Sequence, residues 1–200
     1  MQPLASEAAP DCGSSGLVVV SVVSHGHKHQ VQGLLNDLVR FSRGRISRVV
    51  LTLNQPEAAP QPPAAGWPFA LHIVRNIRPL GFGANHNRAL SGAGEPFVCV
   101  LNPDVRWDGC ESLEAMVQAA AQPGVGCSYP VQIDNVGCWQ DSARALPTPA
   151  ALFRRRVLGQ REARVDWVNA ACLVLPQPVW QRLQGFDEAY FMYCEDVDLC

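Results

Sequence analysis

Long apolar runs are missing from this chain. The longest, Leu17 to Val23, is interrupted by Ser21 and falls far short of the roughly 20 residues a membrane helix needs. An excess of one charge sign is missing too. Sixteen Lys+Arg against 18 Asp+Glu leave a net charge of -2 over 200 residues, which excludes a nucleic-acid binder working through a broad basic field. Eight cysteines are present, yet no two stand in CxxC spacing, so zinc or thioredoxin-like chemistry has little support. Cys99 and Cys172 lie inside apolar runs and read as small core residues of a reduced, cytoplasmic protein. Residues 1–16 contain neither Lys nor Arg and no apolar stretch. They read as a disordered polar leader without the features of a secretory signal. No internal repeat is found.

What is present suits a folded α/β protein. Hydrophobic residues make up 48% and charged residues 17%, enough for a sizeable core. Leu17–Val23 is β-branched and apolar on both faces, the pattern of a strand buried in a parallel sheet. Val31, Leu34, Leu35, Leu38 and Val39 then recur at helical spacing. Strands are expected at 17–23, 48–53, 71–74, 97–101 and 168–175, mostly parallel. Residues 54–68 carry five prolines and form a long loop. A helix is expected from about Ala84 to Leu90. Asp108 and Glu111 read as a capping box for the next helix, which Pro123-Gly124 stops. Pro178 and Gly185 bracket a further short helix. Arg154–Arg156 reads as a solvated face.

In such folds ligands bind outside the carboxyl ends of the parallel strands, which directs attention to the loops 24–29, 54–67, 76–87 and 102–107. Asn102-Pro-Asp104 follows the fourth strand directly. One amide oxygen and one carboxylate two residues apart can hold a hard cation whose shell a diphosphate completes; the alternative is an ordinary Asx turn. The richest segment is Gly185 to Asp198, with Asp187, Glu188, Glu195, Asp196 and Asp198 among apolar and aromatic residues. Neighbouring apolar groups can desolvate a carboxylate and raise its pKa towards that of a general base; the alternative is helix-terminus capping. His25, His27 and His29 alternate at a strand-to-helix turn but lack partners at metal spacing. Gly81-Phe-Gly-Ala-Asn-His86 is not a dinucleotide fingerprint, because His86 occupies the third glycine position. Its glycines before a helix still offer an approach for a phosphate or sugar.

Taken together, Val18–Ser24, Asn76–Asn87, Leu101-Asn-Pro-Asp-Val105, Asp166–Cys172 and Gly185-Phe-Asp-Glu through Glu195-Asp-Val-Asp-Leu199 resemble the inverting family-2 glycosyltransferases of GT-A fold, nearest the rhamnosyltransferase-like branch. The resemblance implies a Rossmann-like, mostly parallel sheet with helices on both faces. It implies one domain over 17–200, with a nucleotide-sugar half at 17–107 and an acceptor half at 108–200. An acidic motif so close to Cys200 implies a longer parent chain.

The resemblance also implies site residues. Asp104 stands where the family has its metal-binding carboxylate, for Mg²⁺ or Mn²⁺. Ser24, Asn54, Gly83, Asn87, Asn102 and Asp104 fall on the donor side, and Asp187 and Glu188 on the acceptor side. Glu195-Asp196 matches the acidic pair that supplies the base; Asp196 is taken as the base and Glu195 as its alternative. The implied partners are a nucleotide-sugar donor and a glycan or lipid-linked acceptor, with no nucleic acid. The implied location is the cytoplasm, at the inner face of the membrane through the acceptor.

Departures are visible. His25-Gly26 replaces the usual Tyr-Asn, Leu53-Asn54 replaces Asp-Asn, and Ala170-Ala171 replaces Gly-Ala. Two other classes share the layout. A nucleotidyltransferase needs a Gly-rich basic loop after the first strand, for which Ser24-His-Gly-His-Lys28 is a poor substitute. A sugar- or nucleotide-binding module needs no base.

Overall fold

The computed structural model describes residues 16–107, 109, 112–134, 136–140, 142–144 and 165–200. The element order is β1 (Val18–Ser24), α1 (Lys28–Phe41), β2 (Ile46–Leu53), β3 (Ala70–Arg75), α2 (Phe82–Leu90), β4 (Phe97–Leu101), α3 (Ser112–Ala120), β5 (Ala143–Arg144), β6 (Trp167–Val168), β7 (Cys172–Pro176), α4 (Gln177–Leu183) and α5 (Glu195–Leu199). The expected leader over residues 1–15, the capping box at Asp108 and Glu111, and the run Arg154–Arg156 lie outside the described residues.

Five strands form the central sheet in the order β3-β2-β1-β4-β7. The first four are parallel, and β7 runs antiparallel to β4. Side chains alternate faces along each strand, so two cores form. Val18, Val20, Val22, Leu51, Cys99 and Cys172 point towards α1 and α3 and pack with Leu34, Leu35, Leu38 and Leu113. Val19, Val50, Val98, Val100 and Leu173 point the other way, towards Ala89 and Leu90 of α2, Trp180 of α4 and Phe186. Each fully buried Val or Leu contributes about 1.5–3 kcal/mol, which is why the two-sided apolar strands take the centre of the sheet.

Two expectations need correction. The predicted strand at 168–175 is two strands: β6 pairs with β5 in a small separate sheet, and β7 joins the main one. Residues 169–171 turn between them because their backbone groups have distant partners. Asn169 N–H donates to Ser142 O (2.9 Å) and Ala171 O accepts from Asn102 N–H (2.8 Å). Helix α2 begins at Phe82 rather than Ala84, its first turn held by Asn85 N–H donating to Gly81 O (3.1 Å).

The chain runs outward from β1 to β2 and β3, then returns to β4 on the other side of β1. The crevice between the carboxyl ends of β1 and β4 is the topological switch point, where such folds bind ligands. Among the described residues no helix is long and apolar enough to cross a membrane.

Candidate active site

One side of the crevice is the loop after β1. Ser24 is buried, and its Oγ accepts from His27 N–H (3.2 Å). Gly26 takes φ +83°, open to glycine at no steric cost, and donates its N–H to Glu57 Oε1 (3.3 Å). His25 N–H donates to His27 Nδ1 (3.3 Å). The N–H groups of residues 25–27 are therefore directed onto protein side chains, while the first turn of α1 has no side-chain cap.

Asn54, at the end of β2, is 6% exposed. Its Oδ1 accepts from Leu80 N–H (2.9 Å) and Asn76 Nδ2 (2.8 Å). Its Nδ2 donates to Leu80 O (3.0 Å) and His25 Nδ1 (3.2 Å). An amide has two acceptor sites and two N–H donors, so the side chain of Asn54 is saturated within the protein. The same bonds define the imidazole of His25. Its Nδ1 must be an acceptor, so a neutral ring carries its proton on Nε2. The Gln55 side-chain amide also meets His25, its Nε2 against the ring Nε2. Asn76 bonds onward to Asn85 Oδ1 (2.7 Å), and Asn85 Nδ2 donates to Leu80 O and Gly81 O. This asparagine chain ties the ends of β2 and β3 to the start of α2.

The other side of the crevice is the turn after β4. Asn102 N–H is held by Ala171 O, and Val105 N–H donates to Asn102 O (3.3 Å). Asp104 is exposed at the tip. Downstream, Asp37 of α1 accepts from Arg106 Nε (2.6 Å), Arg106 Nη2 (3.0 Å) and Trp107 N–H (3.2 Å). Neither Asn102 nor Asp104 makes a side-chain hydrogen bond among the described residues, so their oxygens are available. No group of three His, Cys, Asp or Glu could hold a metal among the described residues. Two available oxygens suit Mg²⁺ or Mn²⁺ with a diphosphate and water completing the shell, rather than an ion caged by protein alone.

The segment 185–191 lies along α2. Asn87 accepts from Phe186 N–H (2.9 Å) and donates to Phe186 O (2.8 Å) and Glu188 Oε1 (3.1 Å). Gly83 faces Phe186 rather than open space; a Cβ there would lie 2.6 Å from the Phe186 Cβ. Phe82 N–H donates to Phe191 O (2.9 Å). Asp187 is exposed, and its Oδ1 accepts from Ala189 N–H (2.8 Å). Asp187 and Glu188 line a cleft of about 370 Å³ with Asn87, Gly185 and Asp198. His86 is fully buried beneath this layer. Its Nδ1 bonds Ser21 Oγ (2.8 Å), Nε2 has no partner, and burial lowers its pKa to about 3.

Helix α5 follows Tyr193 and Cys194, both at φ +70°, a region that costs non-glycine residues energy and recurs at functional sites. Glu195 is 7% exposed with Oε2 unpartnered, and desolvation, reinforced by the Asp196 charge, raises its pKa. Asp196 is half-buried, its Oδ1 accepting from Val197 N–H (2.9 Å). Helix α5 packs on β6. The 167–172 segment therefore meets both the helix that carries the acidic pair, at β6, and the Asp104 turn, through Ala171. Sequence reasoning missed Asp37, Asn76, Asn85 and His86. For Asp37 a signal existed: a carboxylate set inside the apolar stripe Leu34-Leu35-Leu38.

No family model matches the chain. It is 33% identical over 150 residues, 60% of its length, to N-acetylglucosaminyl-diphospho-decaprenol L-rhamnosyltransferase of Mycobacterium tuberculosis, and this match covers 48% of that relative. It is 23% identical over 203 residues to the rhamnosyltransferase WbbL of Escherichia coli, covering 92% of the chain and 75% of WbbL. The chain thus spans about half the length of the mycobacterial relative. Among solved structures, mannosyltransferase PcManGT from Pyrobaculum calidifontis, in complex with GDP-Man and Mn²⁺, superposes with a TM-score of 0.62 at 17% identity, over 96% of this chain and 53% of that one. Residues 1–349 of S. aureus TarS, in complex with UDP-GlcNAc, give 0.54 at 14% identity over 91% of this chain and 51% of that one. These likenesses establish the fold.

Proposed function

We propose that this chain, a family-2 rhamnosyltransferase-like protein of GT-A fold, transfers a sugar from a nucleotide-diphosphate donor to an acceptor hydroxyl with inversion, in cell-surface glycan synthesis. One observation carries the reading. The Asn102–Asp104 turn, with two available oxygens at the switch point, is held by the same 167–172 segment on which the Glu195-Asp196 helix packs. Residues 17–107 form the donor half and 108–200 the acceptor half.

Each residue has a chemical task. Asp196 takes the proton of the acceptor hydroxyl. The freed oxygen pair attacks the anomeric carbon opposite the leaving group, and the bond from that carbon to the diphosphate oxygen breaks with its electrons. A single displacement inverts the centre. Glu195 is buried with one oxygen unpartnered, so the half-buried Asp196 is the member of the pair that can reach an acceptor hydroxyl. A divalent cation on Asp104, with Asn102 beside it, would neutralise charge on the departing diphosphate as a Lewis acid. Ser24 and Asn54 serve the donor side by shaping its loops, Ser24 buried and Asn54 saturated; Gly83 and Asn87, expected on the donor side from sequence, instead dock the 185–191 segment of the acceptor side. Asp187 and Glu188 face the acceptor cleft.

The acceptor class is a lipid-linked glycan, after the diphospho-decaprenol substrate in the mycobacterial relative's name. The protein then works in the cytoplasm, peripherally at the inner membrane face. The N–H groups of residues 25–27, already engaged by protein side chains, disfavour the nucleotidyltransferase reading.

The test is thermal stabilisation by UDP, dTDP and GDP with and without Mn²⁺, since a ligand of the native state raises its stability, followed by turnover with the matching sugars. At least one nucleotide should stabilise more strongly with Mn²⁺, and Asp104→Ala should abolish that increment. An unchanged Mn²⁺ dependence in Asp104→Ala removes the metal assignment. Nucleotide binding without turnover on any lipid-linked acceptor favours the binding module.

A further inference from the structure

The Asp104 turn is anchored on its downstream side by a contact that no part of the proposed chemistry uses. Asp37, 8% exposed on α1, receives three hydrogen bonds, two from the Arg106 fork and one from the Trp107 backbone. Bidentate guanidinium–carboxylate pairs constrain direction as well as distance. One helical turn earlier on the same face stands Gly33. A Cβ at Gly33 would lie 2.5 Å from Arg106 Nη1, so the guanidinium passes directly over bare backbone, its outer side open to solvent. Helix α1 starts directly after the β1 loop. The clamp therefore ties the helix on one side of the crevice to the turn on the other, two residues beyond Asp104.

We infer that Asp37, through Arg106 and against Gly33, is a positioning residue that sets where Asp104 stands in the crevice, and so controls cation affinity without touching the ion. The inference rests on the metal reading of Asp104. The upstream anchor, Asn102 N–H on Ala171 O, holds only one end of the turn. Without the clamp the carboxylate keeps its chemistry and loses its place.

The experiment titrates Mn²⁺ by calorimetry into the protein saturated with UDP, and UDP with and without Mn²⁺. Asp37→Asn, Arg106→Lys and Gly33→Ala are compared with wild type and Asp104→Ala. Each of the three should weaken Mn²⁺ binding about 10-fold, the scale seen when outer-sphere partners of a metal site are removed. UDP binding without Mn²⁺ should stay unchanged. In an Asp104→Ala background Asp37→Asn should have no further effect on Mn²⁺, because the coupled partner is gone. Should Asp37→Asn fold poorly, Arg106→Lys and Gly33→Ala carry the test. The inference is overturned if folded variants show a lower thermal midpoint with wild-type Mn²⁺ affinity, the behaviour of a purely structural pair. Asp104→Ala binding Mn²⁺ like wild type would instead refute the metal reading, and the inference with it.

Discussion

At the scale of single residues, similar side chains have different tasks because their surroundings differ. Glu195 and Asp196 are chain neighbours, yet one is buried with an unpartnered oxygen and the other half-exposed. A base must reach its substrate's proton, which favours Asp196. Asp196→Asn should leave donor affinity near wild type and lower kcat by about 10²–10⁴-fold. Glu195→Gln should act more weakly on turnover, because Glu195 is buried and does not meet the acceptor. Steady-state kinetics across pH decide: near-normal turnover in Asp196→Asn with collapse in Glu195→Gln would exchange the two roles. Asn54 shows the same dependence on context. It stands where a donor contact was expected from sequence, but its four hydrogen-bonding positions are occupied by Leu80, Asn76 and His25.

At the scale of elements, α2 is the platform on which the 185–191 segment rests. Gly83 allows Phe186 to approach, and Phe186 then meets Phe82 and Trp180 edge-on at 5.6 and 5.5 Å between ring centroids. Gly83→Ala puts a methyl 2.6 Å from Phe186 Cβ, a side-chain atom next to the backbone that cannot swing away. Overpacking of this kind costs about 1–3 kcal/mol, more than the helix propensity that Ala gains. Urea unfolding should show a lower midpoint, and turnover should fall further than donor affinity because the displaced segment leads to α5. A midpoint at or above wild type would show that the segment yields freely.

At the scale of the whole molecule, a buried histidine and a partly buried glutamate make the fold acid-sensitive. His86, neutral between Ser21 and Phe82, has its pKa lowered to about 3 by burial. The unfolded chain, near 6.5, therefore binds the extra proton first, and stability declines as pH falls from 6.5 towards 3. Glu95 is held at about 2, chiefly by its hydrogen bond to Arg48, with Ser47 also donating. Its contribution is complete above 4.5 and lost as pH falls through 2. Glu195, with a raised pKa, has the opposite sign: it disfavours the folded state at neutral pH and is relieved on acidification. The net expectation is a stability plateau above about pH 7 and a decline below 6 of at most about 1.4 kcal/mol per pH unit, the one-proton share of His86, reduced by the opposing share of Glu195. His86→Gln should flatten the decline between pH 6.5 and 5, read from urea midpoints at pH 7.5, 6 and 5. An equal slope in the variant would remove His86 as its source.

The division between sequence and tertiary structure follows from the range of the forces. β1, β2 and β4, the apolar stripe of α1 and the Asn102-Pro-Asp104 turn were legible, because strand and helix periods and proline's restricted φ act within a few residues. The resemblance then pointed to Asp104 and Glu195-Asp196 as site residues, the assignment that the variants above test. The split of 168–175 was not legible, because it depends on Ser142 and Asn102 claiming the backbone of 169–171 from far along the chain. The antiparallel direction of β7 was equally hidden, since an apolar run has no polarity of its own. Asp37 with Arg106, Asn54 with Asn76, His86 with Ser21 and Asn87 with Phe186 are separated by 69, 22, 65 and 99 residues. A polar side chain carries its donors and acceptors in its own chemistry, but which partner satisfies them is decided only when the sheet brings distant loops to one edge.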